Sequence, residues 1–89
     1  MPDTYRVIIE RDAEKVLAKA PRDLGMRLRN AIKELAQDPR PKGVKKLQGH
    51  HDLYRRRVGD WRVTYAIYDN ELIVLIVEVA ARGNAYRDL

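Results

Sequence analysis

The chain has no cysteine, only two histidines and no apolar run of membrane-spanning length, and each shortage removes a class of function. Without cysteine there is no disulfide, no thiolate zinc site and no cysteine nucleophile. The two histidines are the adjacent His50 and His51, too few for a conventional metal site. No metal and no cofactor are expected. A membrane helix needs roughly 18 apolar residues in succession, and the N-terminus lacks the apolar core of a signal peptide. These features predict a cytoplasmic protein.

What is present is one small domain. Eighty-nine residues with 45% hydrophobic content support a single modest core. The formal net charge of +5 is concentrated. Between Arg40 and Arg62 lie eight basic residues (Arg40, Lys42, Lys45, Lys46, Arg55, Arg56, Arg57, Arg62) against two acids, Asp52 and Asp60. Such clustering on a small domain points to a polyanion or an acidic protein partner rather than a merely solvated surface.

The centre of that segment is Leu53-Tyr54-Arg55-Arg56-Arg57-Val58-Gly59-Asp60-Trp61-Arg62-Val63-Thr64-Tyr65. Gly59-Asp60 reads as a two-residue type II′ turn, with glycine supplying the positive φ. Counting outward sets Val58 opposite Trp61, Arg57 opposite Arg62, Arg56 opposite Val63 and Arg55 opposite Thr64. Alternation then places Arg55, Arg57 and Arg62 on one face, with Tyr54, Val58, Trp61, Val63 and Tyr65 on the other, core-forming face. Arg56 shares the core side and is expected to snorkel to an edge. Arg57 opposite Arg62 is a like-charge pair that destabilises a sheet unless an anion relieves it. A phosphate is the simplest such anion.

The rest of the chain supplies a scaffold. Tyr5 to Glu10 is a β-branched first strand. From Arg11 the period changes, and Ala13, Val16, Leu17 and Ala20 mark an amphipathic helix of about nine residues. Pro21 ends it and opens a second helix with Leu24, Leu28, Ala31, Ile32 and Leu35 on one stripe. Asp38-Pro39-Arg40-Pro41-Lys42-Gly43 makes a basic loop, and Val44 to Gln48 begins another strand before the polar turn Gly49-His50-His51-Asp52. After the hairpin, whose second strand runs to Tyr68, Asp69-Asn70 reads as a type I′ turn into a long strand from Glu71 to Ala80. Register through that turn puts Ile73, Leu75 and Val77 on the arginine face, uncovered. The expected fold class is α+β: one domain over residues 1–89, with an N-terminal strand, a helical hairpin and a three-stranded antiparallel meander. The order is βααβββ, forming one sheet with the helices on one face.

That pattern, together with Lys45-Lys46-Leu47-Gln48-Gly49, Leu53-Tyr54-Arg55, Arg57-Val58-Gly59-Asp60-Trp61-Arg62-Val63, Arg82 and Tyr86, resembles the RelE group of the RelE/ParE toxin superfamily. The resemblance implies a type II toxin that enters the ribosomal A site and cuts mRNA, a metal-independent endoribonuclease held inactive by a wrapping antitoxin. It assigns the family's catalytic positions to Arg55, Arg57, Arg62, Arg82 and Tyr86. Arg57 and Arg62 would clamp the transition state, and Arg55 would hold the scissile phosphate. Arg82 would serve the leaving group, and Tyr86 would stack on a splayed base or bond near the 2′-OH. Strict alternation turns Arg82 away from this face unless the strand ends or bulges near Ala80-Ala81.

Some family members have lysines where this chain has Arg55 and Arg57. Arginine hardly ever gives up its proton, so the general base stays open. Water, ribosomal RNA and Tyr86 are the alternatives, with His50 and His51 read as surface residues. Lys42, Lys45 and Lys46 are expected to contact RNA phosphates. Ile73, Leu75 and Val77 are expected to receive an acidic, amphipathic, partly disordered antitoxin of the RelB type. Expected partners are therefore that antitoxin, the ribosome and mRNA, with no membrane. Two other readings are a ParE-like inhibitor of DNA gyrase and a non-toxic remnant that only binds its antitoxin.

Overall fold

The computed structural model describes residues 4–47 and 53–81. Its elements are β1 (Arg6–Ile9), α1 (Arg11–Lys19), α2 (Arg22–Gln37), β2 (Lys45–Lys46), β3 (Leu53–Val58), β4 (Trp61–Tyr68) and β5 (Ile73–Ala81). The strands form one mixed sheet in the order β1-β5-β4-β3-β2. β1 runs parallel to β5 and every other neighbouring pair is antiparallel. The expected α+β architecture holds, and the strand expected from Val44 is the two-residue β2 at the far edge. Among the described residues no helix is long and apolar enough to cross a membrane.

Both helices pack on one face of the sheet. Ala13 and Leu17 of α1 and Leu28, Ile32 and Leu35 of α2 meet Val63, Tyr65, Ile67, Val74, Ile76 and Val79. Full burial of each large apolar side chain is worth about 1.5–3 kcal/mol, so this single layer of contacts carries the fold. Pro21 takes the N-cap position of α2, one residue ahead of the first turn, and its carbonyl accepts the Gly25 N–H at 2.7 Å. Gly25 is buried where the helices approach. A Cβ there would lie 3.7 Å from the Leu17 carbonyl oxygen and 3.9 Å from the Ala20 Cβ.

The arginine hairpin has the register counted from its turn: Arg55 opposite Thr64, Arg56 opposite Val63, Arg57 opposite Arg62 and Val58 opposite Trp61. Gly59 has φ +62 while Asp60 does not enter the positive region, the combination a type II′ turn requires. The second turn differs from expectation. Asp69–Leu72 form a four-residue loop, closed by a 3.3 Å bond from the Leu72 N–H to the Asp69 carbonyl, and the positive φ of 55 falls on Leu72 rather than Asn70. The extra two residues preserve parity, so Ile73 and Leu75 still land on the arginine face, opposite Tyr68 and Ala66.

Tyr65 pairs with Ile76 while Thr64 pairs with Glu78, so Val77 is the unpaired residue of a β-bulge. Beyond it Glu78 and Ala80 occupy the arginine face, opposite Thr64 and Arg62. Strict alternation therefore fails at Val77, earlier than the Ala80-Ala81 break that placing Arg82 on this face called for. Arg82 itself lies outside the described residues.

Arg56, on the core side as its parity requires, finds its acceptors on α2. Nη1 donates to the Ala31 carbonyl at 2.9 Å and Nη2 to Glu34 Oε1 at 2.7 Å. A charged residue at a core-side position is tolerated because α2 supplies acceptors for it.

Candidate functional site

The face of the sheet away from the helices is divided. Towards the β3–β4 turn it is cationic, and Lys45 joins the set because β2 pairs Lys45 with Arg55. The cross-strand row is thus Lys45, Arg55, Thr64, Glu78, and the next is Arg57, Arg62, Ala80. Together Gly43, Lys45, Arg55, Arg57, Asp60, Trp61 and Arg62 line a cleft of about 300 Å³. A guanidinium cluster of this kind presents fixed, planar donors to an anion, the geometry that matches phosphate oxygens. Among the described residues no three histidine or acidic side chains converge to hold a metal.

The loop that leads into β2 is held by a polar network. The Tyr65 hydroxyl, buried, donates to the Pro39 carbonyl at 2.8 Å. Burial is also what pushes its phenol up from its ordinary value. Arg40 donates to both carboxylate oxygens of Asp69, at 3.2 and 2.9 Å, and through Nε to the Tyr54 hydroxyl at 3.2 Å. The Tyr5 hydroxyl donates to Asp69 Oδ1 at 2.6 Å. Residues 39–40 are thereby fixed to β3, β4 and the β4–β5 loop, which sets where the chain enters β2 and where Lys45 stands.

The sequence-derived basic residues do not all converge. Arg55, Arg57, Arg62 and Lys45 line the cleft, whereas Lys46 alternates to the opposite face beside Tyr54 and Lys42 sits exposed in the preceding loop. Arg82, Tyr86, His50 and His51 lie outside the described residues. Trp61 packs partly against the core as its register requires and also borders the cleft. Asp60 was read only as a turn residue. Its parity with Arg62, two positions on, was the signal that it shares the arginine face.

Towards the opposite end the same face turns apolar. Ile8 stands beside Leu75 across the parallel β1–β5 pair, and Tyr68 is opposite Ile73. Ile8 is 38% and Tyr68 42% exposed.

The profile of the ParE toxin of type II toxin–antitoxin systems (parDE) matches residues 5–86, nearly the whole chain. The chain belongs to the RelE/ParE toxin superfamily. A chain of the archaeal RelE–RelB complex from Pyrococcus horikoshii superposes on this toxin with a TM-score of 0.80 at 34% identity, covering 90% of this chain and 97% of that one. A RelE toxin of Methanocaldococcus jannaschii is 29% identical over 87 residues, 94% of this toxin and 97% of the relative. A chain of the intact RelBE toxin–antitoxin complex of E. coli shares the fold, with a TM-score of 0.77 at 23% identity over 86% of this chain and 95% of that one. The toxin therefore carries its basic cleft on a scaffold that recurs in proteins crystallised with RelB antitoxins.

Proposed function

We propose that this toxin is a ribosome-dependent endoribonuclease that cuts mRNA in the A site, by attack of a ribose 2′-OH on the adjacent phosphate. The observation that supports this reading most is the Arg57–Arg62 pair, two like charges directly opposite one another in a cleft shared with Arg55 and Lys45. Fixed guanidinium groups stabilise a phosphorane-like transition state without reorganisation, and removing one such donor typically costs about 10²–10³ in rate. Arg57 and Arg62 are assigned to that charge and Arg55 to the scissile phosphate. Arg82 is assigned to the leaving oxygen and Tyr86 to a splayed base or the 2′-OH. Lys45 adds a phosphate contact at the cleft, and Lys42 and Lys46 contact RNA outside it.

The test is primer extension on mRNA translated in a purified system. Wild-type toxin should produce cuts at A-site codons, and Arg62→Ala combined with Arg82→Ala should abolish them while the far-UV circular dichroism stays unchanged. Full cutting by the folded double variant would overturn the reading. The ParE name of the matching profile favours a second reading, inhibition of DNA gyrase without RNA cleavage. A DNA-damage response on induction with intact mRNA would establish it instead.

The apolar half of the face is proposed to receive the antitoxin. Ile73, Leu75, Val77 and the neighbouring Ile8 offer burial, and the adjacent arginines offer charge pairing to an acidic amphipathic segment of the RelB type. Hydrogen exchange should show protection rising in β5 and β3 on complex formation. Unchanged protection there would place the antitoxin elsewhere.

A further inference from the structure

The nuclease reading leaves the proton acceptor unassigned, and the cleft narrows the choice. Of its lining residues, Gly43 and Trp61 have no proton-accepting group. The guanidinium groups of Arg55, Arg57 and Arg62 are donors only, and Lys45 as an ammonium is likewise a donor without acceptor capacity. Among the described lining residues Asp60 alone brings a carboxylate. Among the described residues this carboxylate makes no ion pair and no hydrogen bond, although four basic residues line the same cleft. It is therefore not there to brace an arginine. In a cleft built only to bind phosphate, an unbraced negative charge would oppose the ligand.

We propose that Asp60 is the general base of this toxin, an inference that rests on the nuclease reading above. In the step assigned to it, the ribose 2′-O–H proton passes to the Asp60 carboxylate as the 2′-oxygen forms its bond to phosphorus. The bond from phosphorus to the 5′-oxygen breaks, and that oxygen leaves with the bonding pair and takes up a proton at the side assigned to Arg82. The products are a 2′,3′-cyclic phosphate and a 5′-hydroxyl, and the proton on Asp60 returns to solvent, so the step balances without a metal or a redox partner. The type II′ turn makes the placement firm. Gly59 fixes the corner, and Asp60 sits between it and Trp61, with Arg57 and Arg62 one residue pair down the ladder.

The charged groups around Asp60 are Lys45 from β2, Arg55 and Arg57 from β3, and Arg62 from β4. Arg27 of α2 also reaches the turn, its Nη2 3.5 Å from where a Gly59 Cβ would stand. Among the described residues the other acid on this face, Glu78, lies across from Thr64, whose hydroxyl is 3.5 Å from its Oε1, and it does not line the cleft.

The experiment is single-turnover cleavage of mRNA on programmed ribosomes across a pH series, for the wild type and for Asp60→Asn, Asp60→Glu, Glu78→Gln and Lys45→Met. Asparagine is well accepted in turns, so Asp60→Asn preserves the hairpin, and thermal melting checks it. Loss of a general base costs about 10²–10⁴ in rate. Asp60→Asn should lose that much in the cleavage step with little change in the toxin concentration giving half-maximal rate. It should also lose the acid limb of the wild-type pH profile. Asp60→Glu should recover part of the rate together with that limb, and Glu78→Gln should cut like the wild type.

Cutting by Asp60→Asn within threefold of wild type overturns the inference while leaving the nuclease reading intact. So does a loss confined to binding with an unchanged pH profile. Loss of the acid limb in Glu78→Gln instead transfers the role to Glu78, and loss of the pH dependence in Lys45→Met transfers it to Lys45. Failure of the wild type itself to cut would sink the nuclease reading, and this inference with it.

Discussion

Arg40 and Asp69, 29 residues apart in sequence, meet in a two-pronged ion pair with Nη1–Oδ1 at 3.2 Å and Nη2–Oδ2 at 2.9 Å. The pair joins the loop after α2 to the loop between β4 and β5. Hydrogen bonding from Arg40, then from Tyr5, holds the Asp69 carboxyl below its ordinary value. Arg29 does the same to Glu14 across the helical hairpin, at 2.7 Å. A carboxyl depressed in the folded state stabilises above its unfolded value, about 4, and that contribution is lost as pH falls through the lower folded value. Denaturation midpoints should therefore be level above pH 5 on account of these two groups and decline on further acidification. In Asp69→Asn the decline should be shallower, starting from a lower plateau. An identical acid slope in wild type and variant would show the clamp to be energetically idle.

Arg56 is expected to stabilise the fold without taking part in chemistry. Replacing it with leucine removes the bonds to the Ala31 carbonyl and Glu34, and should lower unfolding stability by about 1–2 kcal/mol in urea melts. Cleavage per folded molecule should be unchanged. A large fall in rate for the folded variant would place Arg56 in the site after all.

Two glycines should respond oppositely to alanine. Gly59→Ala forces a side chain into φ +62 and should cost about 1–2 kcal/mol, with the hairpin register at risk. Gly25→Ala meets neighbours only at ordinary contact distances of 3.7 to 4.0 Å inside a helix, so it should gain about 0.5–1 kcal/mol. Paired chemical denaturation curves decide both.

The Arg57–Arg62 pair should make stability anion-dependent. Inorganic phosphate should raise the melting temperature of the wild type through binding to the folded state. Arg57→Ala should be slightly more stable than wild type in anion-poor buffer, by about 0.2–1 kcal/mol, and should gain less from phosphate. Equal phosphate responses would separate the pair from anion binding.

The hairpin was legible because a two-residue turn fixes register by counting, and nothing between Leu53 and Ala66 interrupts the alternation. The second turn was misjudged in length, yet Ile73 and Leu75 came out correctly because the error was an even number of residues. The bulge at Val77 could not be read in advance, since it leaves no mark in the hydrophobic pattern of Leu72 to Val77. Lys45 stood with Lys42 and Lys46 as a general phosphate contact until β2 set it beside Arg55, a pairing that depends on where Tyr54, Tyr65 and Asp69 hold the incoming loop. The acceptors of Arg56 were hidden for a similar reason, because they come from a helix far away in sequence.

The bulge at Val77 makes chain length, at that one point, as consequential as residue type. Removing Val77 would let Glu78 to Ala81 close onto β4 with their present partners. Inserting a second residue beside it, taken up by the ladder, would carry Val79 out among the arginines and turn Glu78 in against Val63. An added residue at this site in an otherwise similar chain would thus switch the inside and outside of the strand that ends beside Arg62.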